Sequence, residues 1–306
     1  MRRWRSILLG LVIAGCADAA RGSELAVYLP DYRAKSIGDL NLYGTTNLIL
    51  FSAEPREDGS VNVSRITPAL LELAKQAGSE GVAVTVCIGG WGRGKTFASA
   101  VSSEESRARF VEDAAAFCAR HQLDGVDIDW EFPKGEKEHA DFALFLEALS
   151  KRLRSDGRML TVALGYTRPL PPECWQWIDR VHLMSYQPWS DQDYEKWLAG
   201  SVQRFLDSGL PPEKLLIGLG FFTKEKGGER RATAWRRLVE GVAIPKSSQG
   251  YWPVGKETCD LRARLVKQHG FGGIMVWEYG HDSDHPDHSL LRHTSEALGR
   301  IPVSPR

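Results

Sequence analysis

The segment DGVDIDWE at residues 124–131 carries acids at every second position, Asp127, Asp129 and Glu131. Because side chains alternate between the two faces of a β-strand, these acids share one face, with neighbours about 6.6 Å apart along the strand. Burying an unpaired carboxylate is costly, and crowded negative charges raise the pKa of at least one of them. A proton then stays available near neutral pH, which favours general acid catalysis. A salt-bridged cluster at a strand end and a Mg²⁺ or Ca²⁺ site are the alternatives.

A strand that carries these acids needs partners, and the chain holds eight short apolar runs of the kind that form buried strands. Helical patterns lie between most of them. This alternation predicts an α/β fold, a single (β/α)₈ TIM barrel over residues 24–300, with an open doubly wound sheet as the alternative. Sites in such barrels lie at the C-terminal ends of the strands. The predicted strands are residues 25–29, 46–51, 82–88, 125–129, 160–164, 180–184, 215–219 and 273–277.

Helix boundaries are indicated by capping residues. Thr67 is a good N-cap in front of Pro68, and Ser102 and Glu105 have the spacing of a capping box. An apolar stripe at helical spacing within residues 142–153 predicts a helix that packs on the sheet.

The acidic segment resembles the D-x-x-D-x-D-x-E signature of glycoside hydrolase family 18, the chitinase family. Three further segments resemble motifs of the same family in the same order. VCIGGW at residues 86–91 is similar to S-x-G-G, MSYQ at 184–187 to M-x-Y-D, and GGIMVWE at 272–278 to G-G-x-M-x-W. The resemblance covers residues 25–298, nearly the whole chain.

The resemblance implies a retaining hydrolase of β-1,4-linked N-acetylglucosamine polymers that uses substrate-assisted catalysis. Glu131 would protonate the glycosidic oxygen while the acetamido oxygen of the substrate attacks C1 and forms an oxazolinium. Asp129 would hold the acetamido N–H, and Asp127 would share a proton with Asp129. No metal or organic cofactor is implied.

The resemblance also implies residues that bind the sugar. Tyr186 would contact the acetamido oxygen, Trp277 would form the floor beneath one sugar ring, and Tyr28 would support the Asp pair. Asp124 and Cys87 are structural members of the motifs. The remaining positions expected along the substrate are Gly89, Gly90, Trp91, Met184, Gln187 and Trp189.

Two motif positions depart from the family pattern. Cys87 stands where the family has Ser, and a thiol is a weak hydrogen-bond donor. Gln187 replaces an Asp and leaves the choice of glycan open. Residues 220–272 are too few for the α+β insertion that deepens the groove of some members, so we expect a barrel without that domain and with a shallow cleft.

Other functions compete with this prediction. GGWGRGKT at residues 89–96 satisfies the Walker A pattern, although Trp91 is bulky for a phosphate cradle. A non-catalytic glycan-binding protein could use the same barrel, and an enzyme of the same chemistry could act on N-glycans or peptidoglycan. His281, His285 and His288 suggest a metal site, but a solvated loop is the favoured interpretation.

Composition narrows the choice of partners. The 306 residues contain 39 Lys and Arg against 39 Asp and Glu, which argues against a nucleic-acid partner. No apolar segment reaches the roughly 18 residues of a membrane-spanning helix. The family resemblance implies a partner that is a polysaccharide or oligosaccharide containing N-acetylglucosamine, and we expect a monomer.

The first 15 residues are typical of a bacterial signal peptide. A basic start precedes the apolar run 6–15, and the small residues before Cys16 resemble a lipobox, in which the Cys is lipidated. A second possible cut follows Ala19. We expect export in either case, as a periplasmic, outer-membrane or cell-surface lipoprotein anchored through Cys16, or as a secreted protein.

Four further cysteines have no zinc-site spacing. In an oxidising compartment Cys174 and Cys259 are the pair to consider for a disulfide, and buried free thiols are the alternative. The other two are Cys87 and Cys118.

Overall fold

Eight parallel strands close into a barrel in the computed structural model, which describes residues 22–188, 193–226, 232–241 and 250–301. The strands are β1 (Glu24–Pro30), β2 (Asn47–Pro55), β3 (Val61–Asn62), β4 (Ala83–Gly89), β5 (Gly125–Asp129), β6 (Met159–Gly165), β7 (Arg180–Met184), β8 (Leu215–Gly220), β9 (Phe222–Lys224), β10 (Ala232–Ala234) and β11 (Gly273–Trp277). The helices are α1 (Pro68–Ser79), α2 (Phe97–Ala100), α3 (Glu104–His121), α4 (Gly135–Ser155), α5 (Tyr194–Asp207), α6 (Trp235–Val239), α7 (Lys256–His269) and α8 (Leu290–Leu298).

The order of the barrel strands confirms the predicted TIM barrel and excludes the open sheet. The sheet runs β1-β11-β8-β7-β6-β5-β4-β2, and β1 also pairs in parallel with β2, so no strand edge is left open. Each of the eight predicted strands overlaps one barrel strand. The short strand β3 pairs antiparallel with the end of β2, and β9 and β10 form a separate hairpin.

Local sequence signals position most of the helices. The Thr67 side chain caps α1 by accepting the N–H of Leu70 at 3.3 Å. The capping box of α3 uses Ser103 and Ser106, one residue later than the predicted Ser102 and Glu105. Two connections carry a 3₁₀ turn instead of an α-helix among the described residues: Ala34–Ser36 between β1 and β2, and Pro172–Cys174 between β6 and β7.

The core has two parts because each barrel strand has two faces. The outer part lies between strands and helices, where the α4 stripe from Phe142 to Leu153 packs. The inner part is small and is closed by side chains from several strands. Its buried members are Ala26, Tyr28, Ile49, Phe51, Cys87, Leu216 and Met275.

Two aspartates, each just before the start of a strand, join that strand to a neighbouring strand of the sheet. Asp124 Oδ2 accepts the N–H of Val84 at 2.7 Å, and Asp179 Oδ2 accepts the N–H of Leu160 at 2.8 Å. Asp124, the first residue of the acidic motif, therefore fixes the start of β5 against β4, far from the end where the other acids lie.

The suggested disulfide is not formed. Cys174 and Cys259 are both free and buried, as are Cys87 and Cys118. Cys174 ends a 3₁₀ turn, whereas Cys259 lies on α7 with its thiol 3.3 Å from the carbonyl of Gly255. All four of these cysteines are therefore buried free thiols, which is the alternative to a disulfide.

The part of the chain between β8 and β11 that the structure describes contains the β9–β10 hairpin, α6 and α7, and no large insertion domain. This agrees with the prediction of a barrel without that domain. In a search of the described residues, no helix has the length and apolar character needed to cross a bilayer.

Candidate active site

The three acids lie together at the C-terminal end of β5. Asp127 and Asp129 are buried, with 0% and 4% of their surface exposed, and Glu131 follows the strand in a half-buried position. Val126 and Ile128 point outward into the helix-facing core. The alternation of the sequence thus places the acidic row on the inner face.

Asp127 is surrounded by hydrogen-bond donors. The Tyr28 hydroxyl donates to its Oδ2 at 2.7 Å and the Thr161 hydroxyl donates to its Oδ1 at 2.6 Å. His182 Nδ1 lies 3.1 Å from the same Oδ1. Burial alone would raise the pKa of Asp127, but the charge of His182 and these hydrogen bonds hold the pKa below its usual value.

Asp129 behaves in the opposite way although it is two residues away. Burial, followed by the charges of Glu131 and Asp127, raises the pKa of Asp129 well above its usual range. Its Oδ1 is buried and has no hydrogen-bond partner among the described residues. Asp129 therefore keeps its proton to a higher pH than an ordinary aspartate does, and it has an oxygen available to a ligand.

Glu131 keeps its proton mainly because it is buried. Burial raises the pKa of Glu131 to about 7, and a hydrogen bond from the Trp91 backbone N–H lowers it in part. Crowded negative charge is the cause of a raised pKa that the sequence predicts, but burial is the larger cause for both Glu131 and Asp129. Glu131 is thus able to donate a proton near neutral pH.

The loop after β4 requires glycine where it approaches the acids. Gly89 and Gly90 have left-handed φ values of 109° and 99°. A Cβ on Gly90 would lie 2.3 Å from the ring of Phe51 and 3.5 Å from Asp129 Oδ2. The N–H of Gly90 donates to the Asp129 carbonyl at 2.8 Å, which fixes the loop to β5.

This loop does not form a nucleotide site. A P-loop directs free N–H groups and a helix N-terminus at phosphates. Here the Gly90 N–H is used by Asp129, the Thr96 hydroxyl donates to the Pro55 carbonyl, and the helix that follows, α2, has only four residues. The Walker A pattern of residues 89–96 is therefore coincidental.

Asp129 and Glu131 line a cavity of about 790 Å³. Trp277 also lines this cavity, and its ring centroid lies 4.8 Å from that of Phe51 in an edge-to-face contact. The Tyr186 hydroxyl is 3.6 Å from Met275 Sδ, and burial raises the pKa of Tyr186. Of the predicted sugar-binding residues, those that line the cavity are Tyr28, Trp91, Met184, Tyr186, Gln187 and Trp277.

Three of the predicted positions need separate mention. Gln187 Nε2 donates to the Phe222 carbonyl at 2.7 Å, and Gln187 Oε1 is buried without a partner among the described residues. Cys87 lies opposite Asp127 in the β4–β5 register, and burial raises the pKa of its thiol. Trp189 lies outside the described residues, as do Cys16 and the rest of the predicted leader.

The His-rich segment after β11 has structural contacts. His281 Nε2 lies 3.1 Å from Glu278 Oε1, and Asp282 caps α8 by accepting the N–H groups of Leu290 and Leu291. In the part of the chain that the structure covers, no group of three or more His, Cys, Asp or Glu could hold a metal ion.

Several residues of the site are not among those predicted from the sequence. Thr161 and His182 each stand at an inward position of a strand, so the same period-two pattern that exposed the acids could have identified them. The cavity walls come largely from loops, which carry no periodic signal. These additional lining residues include Phe51, Arg93, Phe132, Tyr166, Arg168, Phe222 and Lys224.

A parallel barrel with buried carboxylates at the C-terminal end of one strand has the form of a barrel hydrolase. The sequence model described as "Glycosyl hydrolases family 18" matches residues 24–282. The chain therefore belongs to glycoside hydrolase family 18.

Individual relatives are distant. The chain is 29% identical over 164 residues to "Probable chitinase 2" of Drosophila melanogaster. The aligned region covers 45% of this chain and 34% of that protein. The chain is 23% identical over 292 residues to "Endochitinase 1" of Metarhizium robertsii, covering 75% of this chain and 68% of that protein. The chain thus spans only about a third of the length of the Drosophila relative.

Solved structures support the fold. A chitinase from Bacteroides thetaiotaomicron matches with a TM-score of 0.78 at 18% identity, covering 91% of this chain and 97% of that one. A chitinase-like agglutinin from Robinia pseudoacacia also matches with a TM-score of 0.78, at 19% identity and with 90% and 99% coverage. At these identities the likeness concerns the fold alone.

Proposed function

We propose that this protein is a retaining glycosidase that cleaves β-1,4 linkages in polymers of N-acetylglucosamine, such as chitin. The observation that carries the proposal is the pairing of two carboxyl groups at one cavity. Glu131 has a pKa raised to about 7 by burial, and Asp129 presents a buried oxygen without a partner among the described residues. The first group can give a proton, and the second can accept an N–H.

The reaction proceeds through the acetamido group of the substrate. Glu131 gives its proton to the glycosidic oxygen as the C1–O bond breaks, and the acetamido oxygen bonds to C1 to form the oxazolinium. Asp129 accepts the acetamido N–H, and Tyr186 donates to the acetamido oxygen. Water then attacks C1 while the Glu131 carboxylate takes a proton from it, so that the product keeps the starting configuration.

Turnover of chitooligosaccharides by wild type and by Glu131→Gln tests this proposal. The amide cannot donate the acidic proton, so we expect kcat to fall by about 10²–10⁴-fold. Glu105→Gln on the exposed face of α3 is the control. A thiazoline that mimics the oxazolinium should inhibit the wild type. Binding of the oligosaccharide without turnover by the wild type would instead identify a lectin-like protein.

A carboxylated polymer such as peptidoglycan is a second candidate substrate, and Arg168 is the observation that favours it. Its guanidinium lies 4.9 Å from the Phe132 ring centroid beside the cavity, and it has no carboxylate partner among the described residues. A neutral polymer offers no anion to this cation, whereas the free carboxylates of the peptide stems of peptidoglycan do.

The ratio of kcat/KM for peptidoglycan fragments to that for chitooligosaccharides tests the second candidate. Arg168→Met should lower this ratio about tenfold if Arg168 binds a carboxylate, and Arg168→Lys should retain most of it. An unchanged ratio in Arg168→Met would reject peptidoglycan as the preferred substrate on this ground.

We also propose export through the leader and lipidation at Cys16, supported by the residue types of positions 1–16. Mass spectrometry of the mature N-terminus distinguishes a lipidated Cys16 from a free terminus after Ala19. In Cys16→Ser, we expect the protein to lose its membrane association.

A further inference from the structure

His182 is a fully buried histidine on the inner face of β7, in contact with Asp127 of the acidic row. Its Nδ1 lies 3.1 Å from Asp127 Oδ1 and 3.1 Å from the Tyr28 hydroxyl oxygen. Its Nε2 is buried and has no hydrogen-bond partner among the described residues. All polar contacts of this ring thus pass through Nδ1.

The contacts determine which ring nitrogen carries hydrogen. Tyr28 has a single hydroxyl proton, and it donates that proton to Asp127 Oδ2 at 2.7 Å. Towards His182 the Tyr28 oxygen can therefore only accept, and the ionised Asp127 can only accept as well. Nδ1 must carry a hydrogen that is directed at both oxygens.

The Nδ1–H of His182 and a much weaker donor lie on opposite sides of Asp127. Cys87 faces Asp127 from β4, and its thiol donates hydrogen bonds poorly. On the other side, Thr161 and His182 both reach Oδ1. Within the residues that the structure describes, no hydrogen bond joins Asp127 to Asp129, so Asp127 is fixed by its own donors.

We propose that His182 is a positioning residue whose Nδ1–H holds Asp127 as a carboxylate, so that the proton of the Asp pair stays on Asp129. The acetamido contact of Asp129 then starts from one defined protonation state. The consequence for catalysis rests on the proposed glycosidase function. The position of the hydrogen on the His182 ring does not depend on that function.

The surroundings of His182 contain other groups that titrate. Asp127 is the group in contact, and the Arg180–Glu24 pair lies two residues further down the barrel on the same strand face. Loss of the Nδ1–H removes a hydrogen bond to the ionised form of Asp127, which shifts its titration to higher pH. The titratable groups that face this region from the packed strands and their ends are Tyr28, Cys87, Asp127, Asp129, Glu131 and Tyr186.

The activity test compares two variants across pH. His182→Leu removes the donor, and we expect kcat to fall about tenfold and the acidic limb of its pH profile to move up by about one unit. His182→Asn places an amide N–H near the position of Nδ1, so it should restore both quantities most of the way. A fall in kcat without movement of the limb, or a wild-type profile in His182→Leu, would overturn the proposal.

A second measurement requires no catalytic activity, and it does not depend on whether His182→Leu folds. In ¹⁵N-histidine-labelled wild type, the resonances that His182→Asn removes belong to His182. We expect its Nδ1 to carry a bound hydrogen throughout pH 6–8. A ring that carries its only hydrogen on Nε2 would refute the proposal even if the enzyme is fully active, and an inactive protein with Nδ1–H would refute only the proposed function.

Discussion

Asp127 and Asp129 differ in every respect except residue type, strand face and burial. Asp127 receives hydrogen bonds from Tyr28 and Thr161 and contacts His182, and its pKa is lowered against the effect of burial. Asp129 has an oxygen without a partner in the described chain, and its pKa is raised. Because both acids are buried, the hydrogen-bond donors from neighbouring strands decide which of the two has the lower pKa.

The largest expected effect is on Asp129. Asp129→Asn replaces an oxygen next to the acetamido position by an amide, so stabilisation of the oxazolinium is lost and kcat should fall by about 10²–10³-fold. Chitooligosaccharide turnover at fixed pH measures the change. Asp39→Asn, an exposed isosteric change, serves as the control, and a loss below tenfold would contradict a direct role for Asp129.

A smaller effect on kcat is expected at Asp127, together with a loss of stability. In Asp127→Asn the side-chain NH₂ group faces one of the hydrogen-bond donors, so that donor loses its acceptor. We expect about 1–3 kcal/mol lower free energy of unfolding and a fall in kcat of about 10–10²-fold. Urea denaturation and kinetics of the same preparation separate the two. Equal kcat losses in Asp127→Asn and Asp129→Asn would erase the proposed division of roles.

The pH dependence of stability tests the acid itself. Burial raises the pKa of Glu131 from 4.5 to about 7, so between these values the unfolded chain releases a proton that the folded protein keeps. The free energy of unfolding therefore falls as pH rises through this window.

Glu131→Gln has no such proton. The stability of this variant relative to wild type should therefore be about 3 kcal/mol greater at pH 8 than at pH 4. Urea unfolding at the two pH values measures the gain, and Glu105→Gln should show none. Parallel pH curves for wild type and Glu131→Gln would mean that Glu131 ionises at its ordinary pKa.

The smallest expected effect belongs to Thr161. Thr161→Val removes one of the donors to Asp127 Oδ1 and leaves His182 in place. We expect about 1 kcal/mol lower stability and a kcat reduced by only a few-fold. Combined with His182→Leu, the loss should exceed the sum of the single losses, because Asp127 Oδ1 has then lost both of these donors. Strict additivity would argue that the two residues act separately.

The fold could be predicted because its signals are local. Each apolar run matches a barrel strand, and Thr67 marks the start of α1. The errors are also local. Ser102 and Ser103 are adjacent hydroxyls that both precede α3, and spacing alone did not decide which caps it. The Cys174–Cys259 suggestion was wrong because compartment and spacing contain no distance, and each thiol lies in its own packed environment.

The site could be predicted only where one strand carries it. The period-two row placed Asp127, Asp129 and Glu131 on the inner face without knowledge of any other strand. Thr161 and His182 meet Asp127 only because the closed sheet brings β6 and β7 beside β5. The period-two pattern can place Thr161 and His182 on the inner faces of their strands, but their contacts with Asp127 become visible in three dimensions only.

Trp91 gives this site an optical readout. Its backbone N–H is bonded to Glu131, while its indole is 70% exposed at the edge of the cavity. The other tryptophans that the structure describes are buried or half-buried. A sugar that covers the Trp91 ring should shift its fluorescence emission to shorter wavelength, and the occupancy of the cavity can then be followed in real time, in Glu131→Gln as well as in the wild type.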